Sequence, residues 1–424
     1  MINIPDENKK RVVVAGCGFA GLTLARRLKK SGMQVVVVDK HNYHQFPPLF
    51  YQVASAGLEA SSILFPIRKI FQDYRDFHIR KAEVVKVEAD GNRLITTSGE
   101  ISYDYLVLAM GATNSYFGSR EMEENSNGMK TIAEVLDLRN SLLMNFENAV
   151  TAVSDEEKEK LLNIVIIGGG PSGVEIAGAL SEMNRYVIPK DYPELKETPA
   201  RIHLVEASPR LLGVMSEKSS AEAKKFLERT GVRVRLDTKV TGCANDTVHL
   251  SDGTSIPASM IIWTAGIKGN HVDGLPGDVI TRNGRIRTDR YNRVEGCRNI
   301  FALGDIAMMA EDKYPNGHPQ VAQVAIQQAV LLAANLKRET NGKPLKEFTY
   351  RDLGTMATVG RNLAVVELPW VQFHGIFAWF VWMFVHLMSI VGVRNRLVIF
   401  MNWAWKYLTY DQSTRLILRP KGCN

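Results

Sequence analysis

Short runs of β-branched residues alternate with amphipathic segments along most of the chain. Two such runs, Arg11–Ala15 and Gln34–Asp39, flank a segment with leucine and alanine at helical spacing that ends before Gly32. The same order returns later, with Asn163–Ile167 and Ile202–Glu206 on either side of a second helical segment. Apolar runs without polar alternation are typical of strands buried on both faces of a parallel sheet. The pattern therefore predicts an α/β protein with two βαβ units.

A glycine-rich loop joins the first strand to the helix in each unit. The loops read Gly16-Cys-Gly-Phe-Ala-Gly21 and Gly168-Gly-Gly-Pro-Ser-Gly173. Glycines at this spacing let the backbone at a helix N-terminus approach a pyrophosphate, and an acid that ends the next strand can accept a hydrogen bond from a ribose. Asp39 and Glu206 hold those acid positions. Two loops predict two dinucleotides, so the two βαβ units are predicted to be Rossmann-type dinucleotide-binding domains. An acid rather than an arginine at Glu206 favours NADH over NADPH.

Three later strand ends complete this organisation. The run Asn299–Asp305 reads as a strand that ends in Gly304-Asp305, whose carboxylate and following helix N-terminus can hold a flavin, although Gly-Asp is also an ordinary turn. Strand ends at Gly111 and Gly266 are predicted to carry the chain between two domains. We therefore predict a discontinuous FAD-binding domain at 1–120 and 286–342, and an NADH-binding domain at 160–285.

The number and spacing of the cysteines limit the reactions that are expected of the flavin. The four cysteines are Cys17, Cys243, Cys297 and Cys423, and no two of them form a CxxC pair. A dithiol relay of the kind used by disulfide reductases is therefore not expected, and neither is an iron–sulfur or zinc site. We predict no metal ligand, and electrons must leave the flavin directly to an acceptor that docks on it.

The C-terminal region carries a long uncharged run. No formally charged residue occurs between Glu367 and Arg394 when histidine is counted as neutral, so the run has the length of a transmembrane helix. Its less apolar residues nevertheless recur at spacings of three and four, on one stripe of a helix: Gln372, Gly375, Trp379, Trp382, His386 and Ser389. The pattern predicts helices that lie in the bilayer interface and form a membrane-association region at 343–424. A subunit-interface helix and a single span are the alternatives.

The formal net charge of +7 is concentrated in this region. Six basic residues follow Glu367 against the single acid Asp411: Arg394, Arg396, Lys406, Arg415, Arg419 and Lys421. Basic residues beside tryptophans suit an anionic lipid surface, so this distribution favours a membrane partner and speaks against nucleic acid.

Residues 10 to 410 resemble the type II NADH dehydrogenases, the single-subunit NADH:quinone oxidoreductases of respiratory membranes that do not pump protons. The resemblance rests on the two loops, on the stretch Phe46–Ala54, on Gly304-Asp305 and on Ala322-Gln-Val-Ala-Ile-Gln327. The last stretch is similar to the AQxAxQ quinone-site signature of that family. It implies that Gln323 and Gln327 line a quinone pocket beside the flavin, whereas the alternative is a polar helix face.

The resemblance also implies that Glu175 lies near flavin and nicotinamide and takes part in proton transfer; the alternative is a first-turn acid favoured by the helix dipole. Motifs and resemblance together give Glu175, Gln323 and Gln327 as catalytic candidates. The FAD candidates are Gly16, Gly18, Phe19, Ala20, Gly21, Asp39, Lys40, Gln52, Ala109, Gly111, Gly304, Asp305 and Gln323. The NADH candidates are Gly168, Gly170, Pro171, Ser172, Gly173, Glu175, Glu206, Ala265 and Gly266.

The expected reaction passes hydride from NADH to FAD and two electrons on to a membrane quinone, either menaquinone or ubiquinone, without proton pumping. A sulfide:quinone oxidoreductase, which would need cysteines at the flavin, and a non-catalytic FAD and NADH redox sensor remain as alternatives. The N-terminal residues lack an apolar signal core and an arginine-rich presequence. We therefore expect a peripheral, homodimeric protein on the cytoplasmic face of a bacterial inner membrane.

Overall fold

Two parallel sheets form the cores of two separate units in the computed structural model, which describes residues 3–409 and 414–418. Unit 1 comprises Met1–Gln45, Leu64–Thr113 and Ile267–Asp352, and unit 2 comprises Phe46–Ile63, Asn114–Gly266 and Leu353–Asn424. These units are defined by packing, so the FAD and NADH domain ranges above stay predictions. Four residues counted above lie outside the described part of the chain: Asp411, Arg419, Lys421 and Cys423.

The sheet of unit 1 has five parallel strands, and the predicted strands lie at its centre. In spatial order the strands are Ile300–Ala302, Tyr105–Leu108, Arg11–Ala15, Gln34–Asp39 and Phe77–Lys81. The first loop helix, Phe19–Arg27, packs against the long helix Ala322–Thr340. A separate antiparallel sheet is formed by Val84–Glu88, Arg93–Thr96 and Gly99–Ser102. The shorter elements are the antiparallel pair Tyr43–Gln45 and Leu64–Pro66, the helix Ile67–Ile70, and the parallel pair Ile286–Arg287 and Ala307–Met308.

Unit 2 repeats this arrangement with a four-stranded parallel sheet. Its strands, in spatial order, are Arg233–Arg235, Arg201–Val205, Asn163–Ile167 and Met260–Trp263. The second loop helix, Pro171–Tyr186, follows the glycine-rich loop. Other helices of the unit are Phe50–Ala54, Arg120–Asn125, Ile132–Thr151, Asp155–Leu162, Ile188–Asp191 and Glu217–Arg229. An antiparallel sheet is formed by Val240–Ala244, Thr247–Leu250 and Ser255–Pro257. The α/β fold class with two Rossmann-type units is thus confirmed.

The C-terminal part of unit 2 consists of a three-stranded antiparallel sheet and two helices. The strands are Thr355–Thr358, Ala364–Leu368 and Val371–His374, and the C-terminal helices are Ile376–Ser389 and Val393–Thr409. The predicted helical stripe is therefore wrong at two positions. Gln372 lies in a strand because Val371–His374 pairs with Ala364–Leu368, and Gly375 precedes the helix with a φ of +89°. Within the part of the chain that the structure describes, no helix combines the length and the apolarity needed to cross a bilayer.

The two C-terminal helices are amphipathic, but the side that faces solvent is the more apolar one. Their buried side chains are Ala378, Trp382, Ile399 and Trp403, and they pack against the rest of unit 2. Their solvent-facing side is apolar and is formed by Ile376, Phe377, Phe380, Phe384, Val385, Met388, Val393, Leu397, Val398, Phe400, Met401, Trp405 and Leu408. Soluble monomers rarely leave so large a contiguous apolar surface in water. The predicted face with Trp382 and His386 thus points inward, and the outward side is largely apolar, with Ser389, Arg394 and Asn402 also exposed on it.

Candidate active site

The first glycine-rich loop, in unit 1, is shaped by close backbone contacts. A Cβ atom at Gly16, whose φ is +99°, would lie 2.3 Å from the carbonyl oxygen of Ala109. A Cβ atom at Gly21 would lie 1.8 Å from the carbonyl oxygen of Gly16, whereas Gly18, the N-cap of the helix, borders open space. Side chains are therefore excluded where the loop packs, and the backbone is accessible where the helix begins. This is the geometry that admits a pyrophosphate.

The predicted acid of the first unit is bound to the loop itself. The Asp39 Oδ2 accepts a hydrogen bond from the backbone N–H of Cys17 at 2.6 Å, and its Oδ1 accepts one from the N–H of His41 at 2.7 Å. Burial raises the pKa of Asp39, and these two backbone donors oppose that shift. The acid thus fixes the loop beside the end of its strand. Lys40 follows it, and Phe19 and Ala20 form the start of the loop helix.

The second loop, in unit 2, has the same construction. A Cβ atom at Gly168, whose φ is +108°, would lie 2.7 Å from the Cα of Ala265, and one at Gly173 would lie 1.9 Å from the carbonyl oxygen of Gly168. Gly170 borders open space at the N-cap, and Pro171 and Ser172 are exposed in the first turn of the helix. The second loop therefore also admits a pyrophosphate at a helix N-terminus.

Glu206 fixes the second loop as Asp39 fixes the first. Its Oε2 accepts a hydrogen bond from the backbone N–H of Gly169 at 2.5 Å, and its Oε1 accepts one from the N–H of Ser208 at 2.8 Å. The same pair of interactions, loop to acid and acid to the residue two positions on, thus occurs in both units. The residues of both loops fit a dinucleotide.

Gly304 and Asp305 are held by two glutamine side chains within unit 1. The backbone N–H of Gly304 donates to Gln328 Oε1 at 2.7 Å, and Gln320 Nε2 donates to the carbonyl oxygen of Asp305 at 2.8 Å. Gln328 is 1% exposed. Sequence reasoning missed Gln328; the available signal was a polar residue at helical spacing among the buried positions Val324, Ala325, Ala329 and Leu332.

The glutamines of the AQxAxQ stretch lie on the same helix, Ala322–Thr340. The side-chain amide of Gln327 exchanges two hydrogen bonds with the main chain of Arg351, at 2.8 and 3.0 Å. Gln323 is half-buried one turn earlier. The amide of Gln327 therefore has a structural task, and the quinone role of both residues stays a prediction. Gly111, which is also assigned to the flavin, has a φ of +70° after the strand Tyr105–Leu108.

Glu175 lies in unit 2 on the second loop helix, two residues after Gly173. Burial raises the pKa of Glu175 to about 8, opposed by the backbone N–H of Thr358 and the indole of Trp382. The Trp382 Nε1 is buried and has no hydrogen-bond partner of full geometry among the described residues. Glu175 therefore stands next to one weakly satisfied donor in an environment that favours its neutral, protonated form.

A buried tyrosine connects this carboxyl group to a glutamine predicted to contact the flavin. The Tyr51 hydroxyl accepts hydrogen bonds from Gln52 Nε2 at 2.9 Å and from the Thr358 hydroxyl at 3.2 Å. Burial, with a further contribution from Glu175, raises the pKa of Tyr51 far above its usual range. The Gln52 Oε1 accepts from Trp403 Nε1 at 2.8 Å. Gln52 thus belongs to unit 2, where it links Tyr51 to the second C-terminal helix.

A small cavity opens beside these residues, within unit 2. Its lining residues come from the second loop helix, the C-terminal sheet and both C-terminal helices: Tyr51, Gln52, Ala179, Glu182, Thr358, Gly360, Arg361, Trp379, Trp382, Met383, Trp403, Lys406 and Tyr407. Lys406 Nζ and Glu182 Oε1 lie 3.6 Å apart across it. An aromatic wall with a few fixed polar groups is typical of a site for a planar small molecule.

His386 closes the stack behind Trp382. The two rings lie 3.8 Å apart and nearly parallel, and His386 Nδ1 lies 2.7 Å from the carbonyl oxygen of Trp382. Burial lowers the pKa of His386 to about 4, opposed by that hydrogen bond. The ring is therefore neutral at physiological pH and acts as a packing partner for the indole.

Comparison with known proteins gives a consistent picture. A family model described as pyridine nucleotide-disulphide oxidoreductase matches residues 10–329, and one described as NDH2 C-terminal domain matches residues 353–410. The type II NADH:quinone oxidoreductase Ndh of Mycobacterium tuberculosis is 32% identical over 420 residues, which cover 95% of this chain and 89% of that protein. An internal alternative NAD(P)H-ubiquinone oxidoreductase A1 of Solanum tuberosum is 30% identical over 435 residues, with 94% and 86% covered.

Solved structures support the fold. NDH2 from Plasmodium falciparum, in complex with NADH, matches with a TM-score of 0.89 at 19% identity over 97% of this chain and 100% of that one. The sulfide:quinone oxidoreductase of Aquifex aeolicus matches with a TM-score of 0.74 at 20% identity over 97% and 96%. At these identities the likeness concerns the fold, which is shared between enzymes with different electron donors.

Proposed function

Since the chain belongs to the type II NADH:quinone oxidoreductases, we propose which of its described residues bind NADH, FAD and quinone in that reaction. The protein oxidises NADH and reduces a quinone, with FAD as its second cofactor and without pumping protons. When bound, FAD supplies the two-electron relay between NADH and quinone. The main observation behind this assignment is that one helix, Pro171–Tyr186, begins at the second glycine-rich loop and continues along the aromatic cavity.

The NADH site of this proposal is the second loop. Gly168, Gly170 and Gly173 leave room for the pyrophosphate, and Glu206 is placed to accept from an unphosphorylated ribose. A 2′-phosphate beside the Glu206 carboxylate would meet a like charge, so NADH is preferred over NADPH. The first loop, with Asp39 and the Gly304-Asp305 turn, is assigned to FAD within unit 1.

The quinone site of this proposal is the cavity. Trp382 and Tyr51 line it and offer aromatic surface to a planar ring. Reduction of a quinone to a quinol consumes two protons. Glu175, whose pKa of about 8 keeps it protonated at neutral pH, stands next to the cavity residues Tyr51, Thr358 and Trp382. We assign to Glu175 the supply of one of these protons.

The C-terminal helices are assigned to the lipid surface. Their outward side is largely apolar, and the basic residues Arg394 and Arg396 lie in the first turn of the second helix. Such a helix pair buries its apolar face at the boundary between headgroups and acyl chains and gains from anionic lipid. A quinone dissolved in that bilayer would then have a short path to the cavity. Attachment to the cytoplasmic face of a bacterial membrane, and a homodimer, remain part of the proposal.

The alternative with sulfide as donor gains no support from the described cysteines. Burial, aided by Glu121, raises the pKa of Cys243 to about 11, and burial also raises that of Cys17. A thiol with a raised pKa is a poor nucleophile at neutral pH.

The test of the proposal is to fill the cavity. In the variant Ala179→Phe, a phenyl ring on the second loop helix would occupy space lined by Trp382 and Trp403. We expect NADH:quinone turnover in proteoliposomes to fall at least tenfold, while NADH oxidation by the small soluble acceptor ferricyanide stays within twofold of wild type. Ala221→Phe, on the exposed side of the helix Glu217–Arg229, makes the same substitution outside the cavity and is the control. Equal loss of both activities, or of neither, would contradict the assignment of the cavity.

A further inference from the structure

Phe117 is an unusual residue of unit 2. Its φ is +52°, in the left-handed region that bulky side chains seldom adopt, and its side chain is 74% exposed. The strained backbone lowers folding stability, and the exposed phenyl ring contributes little burial to offset that cost. Strained residues of this kind cluster at ligand sites, where the cost of the conformation is tied to function.

The segment around Phe117 is fixed to the end of the strand Met260–Trp263. The Trp263 Nε1 donates to the carbonyl oxygen of Ser115 at 3.0 Å, and the Ser115 N–H donates to the carbonyl oxygen of Gly266 at 3.0 Å. The Phe117 ring meets Trp263 edge-on, with centroids 6.0 Å apart. It also covers Gly266 so closely that a Cβ atom there would lie 2.7 Å from Phe117 Cζ. The ring thus contacts Trp263 and Gly266 on one side, and most of it faces solvent.

The same strand end also forms one wall of the second glycine-rich loop. The Thr264 hydroxyl donates to the carbonyl oxygen of Gly168 at 2.9 Å, and a Cβ atom at Gly168 would lie 2.7 Å from the Cα of Ala265. Residues 264 to 266 therefore contact the loop through Thr264 and Ala265 and contact Phe117 through Gly266. An exposed aromatic ring therefore lies beside the strand end that forms a wall of the loop.

We propose that Phe117 is a further nucleotide-binding residue, whose ring packs against an aromatic base of the bound dinucleotide. The inference rests on the assignment of the second loop to NADH. Both bases of NADH are planar, and an aromatic side chain that stacks on them at an exposed site contributes binding without needing a hydrogen-bond partner. Contacts with Trp263 and Gly266 restrict the orientations open to the ring, which lowers the entropy cost of ordering it on the nucleotide.

The experiment compares Phe117→Gly with Phe117→Tyr in the flavin-loaded enzyme. Glycine removes the ring and tolerates the left-handed backbone, whereas tyrosine keeps the ring. Calorimetric titration with NAD⁺, which binds without being oxidised, measures the dissociation constant, and thermal unfolding measures stability. We expect the glycine variant to bind NAD⁺ at least tenfold more weakly with a melting temperature within about 2 °C of wild type, and the tyrosine variant to bind within twofold. Val153→Gly, at a 99% exposed side chain between two helices, is the control.

Two outcomes separate this inference from the assignment on which it rests. If Phe117→Gly lowers the melting temperature and leaves the dissociation constant unchanged, the Phe117 ring only packs against Trp263 and stabilises the fold, and the inference is overturned. The variant Gly173→Ala distorts the loop itself and is expected to abolish NAD⁺ binding. If Gly173→Ala binds NAD⁺ like wild type, the loop assignment fails first, whatever Phe117 does.

Discussion

Replacing the carboxyl group of Glu175 by an amide is the most direct perturbation of the candidate active site. The pKa of about 8 means that folded protein keeps the Glu175 proton over a range in which the unfolded chain has lost it, since an ordinary glutamate titrates near 4.5. The folded state therefore binds more protons between these two values, and its stability must fall as the pH rises from about 4.5 to about 8. Glu175→Gln carries no charge and is free of this loss.

The size of the effect follows from the shift. Holding the proton up to about pH 8 corresponds to a stability loss of at most about 5 kcal/mol once the pH exceeds 8. With an unfolding entropy of about 2 cal/mol/K per residue, this amounts to about 5 °C in melting temperature if the chain unfolds as one body. Glu175→Gln should match wild type at pH 5 and melt up to about 5 °C higher at pH 8.5.

The assay is thermal unfolding of both proteins at half-unit steps from pH 5 to pH 9. Glu182→Gln is the matched control, because it removes a carboxylate that lies two turns further along the same helix and is paired with Lys406. The control reports how the loss of a carboxylate on this helix alters the melting temperature while Glu175 is retained. A difference between Glu175→Gln and wild type that stays constant across the whole pH range would refute the reasoning, since it would mean that Glu175 titrates normally.

Three further outcomes are expected. The variant Gly21→Ala should be purified without flavin, because the added Cβ would lie 1.8 Å from a backbone oxygen. The ratio of absorbance at 450 nm to that at 280 nm measures the flavin content, and full flavin content would contradict the loop assignment. Gln328→Ala leaves the buried N–H of Gly304 unsatisfied at a cost of about 1–3 kcal/mol, so we expect faster flavin release in mild chaotrope, measured by flavin fluorescence. Trp382→Phe removes a donor that lowers the pKa of Glu175, so the pH at which the stability of this variant stops falling should lie above that of wild type; an unchanged or lower value would show that the indole does not act on the carboxyl.

The dinucleotide loops could be predicted because they depend on local sequence. Unbroken β-branched runs define the central strands, and the acid at the end of each second strand was found at Asp39 and Glu206 as expected. Backbone clashes at Gly16 and Gly168 explain why the glycines occur where they do.

The surroundings of Glu175 could not be predicted in the same way. Tyr51, Thr358 and Trp382 come from three segments distant in the sequence, and a carboxyl raised to a pKa of about 8 depends on their joint packing. The helical stripe failed at Gln372 because strand pairing with Ala364–Leu368, a non-local interaction, prevailed over local periodicity. Gln328 escaped notice because a glutamine on a helix reads as a surface residue until its burial is known.

The outward apolar face of the C-terminal helices has a kinetic consequence. Under the proposed attachment to lipid, an enzyme held in a bilayer by Phe377, Phe384 and Leu408 would meet its quinone only in two dimensions. Its saturation should then depend on the mole fraction of quinone among the lipids, so that adding empty lipid to fixed amounts of enzyme and quinone would slow turnover by surface dilution. NADH, which arrives from water, would show no such dependence.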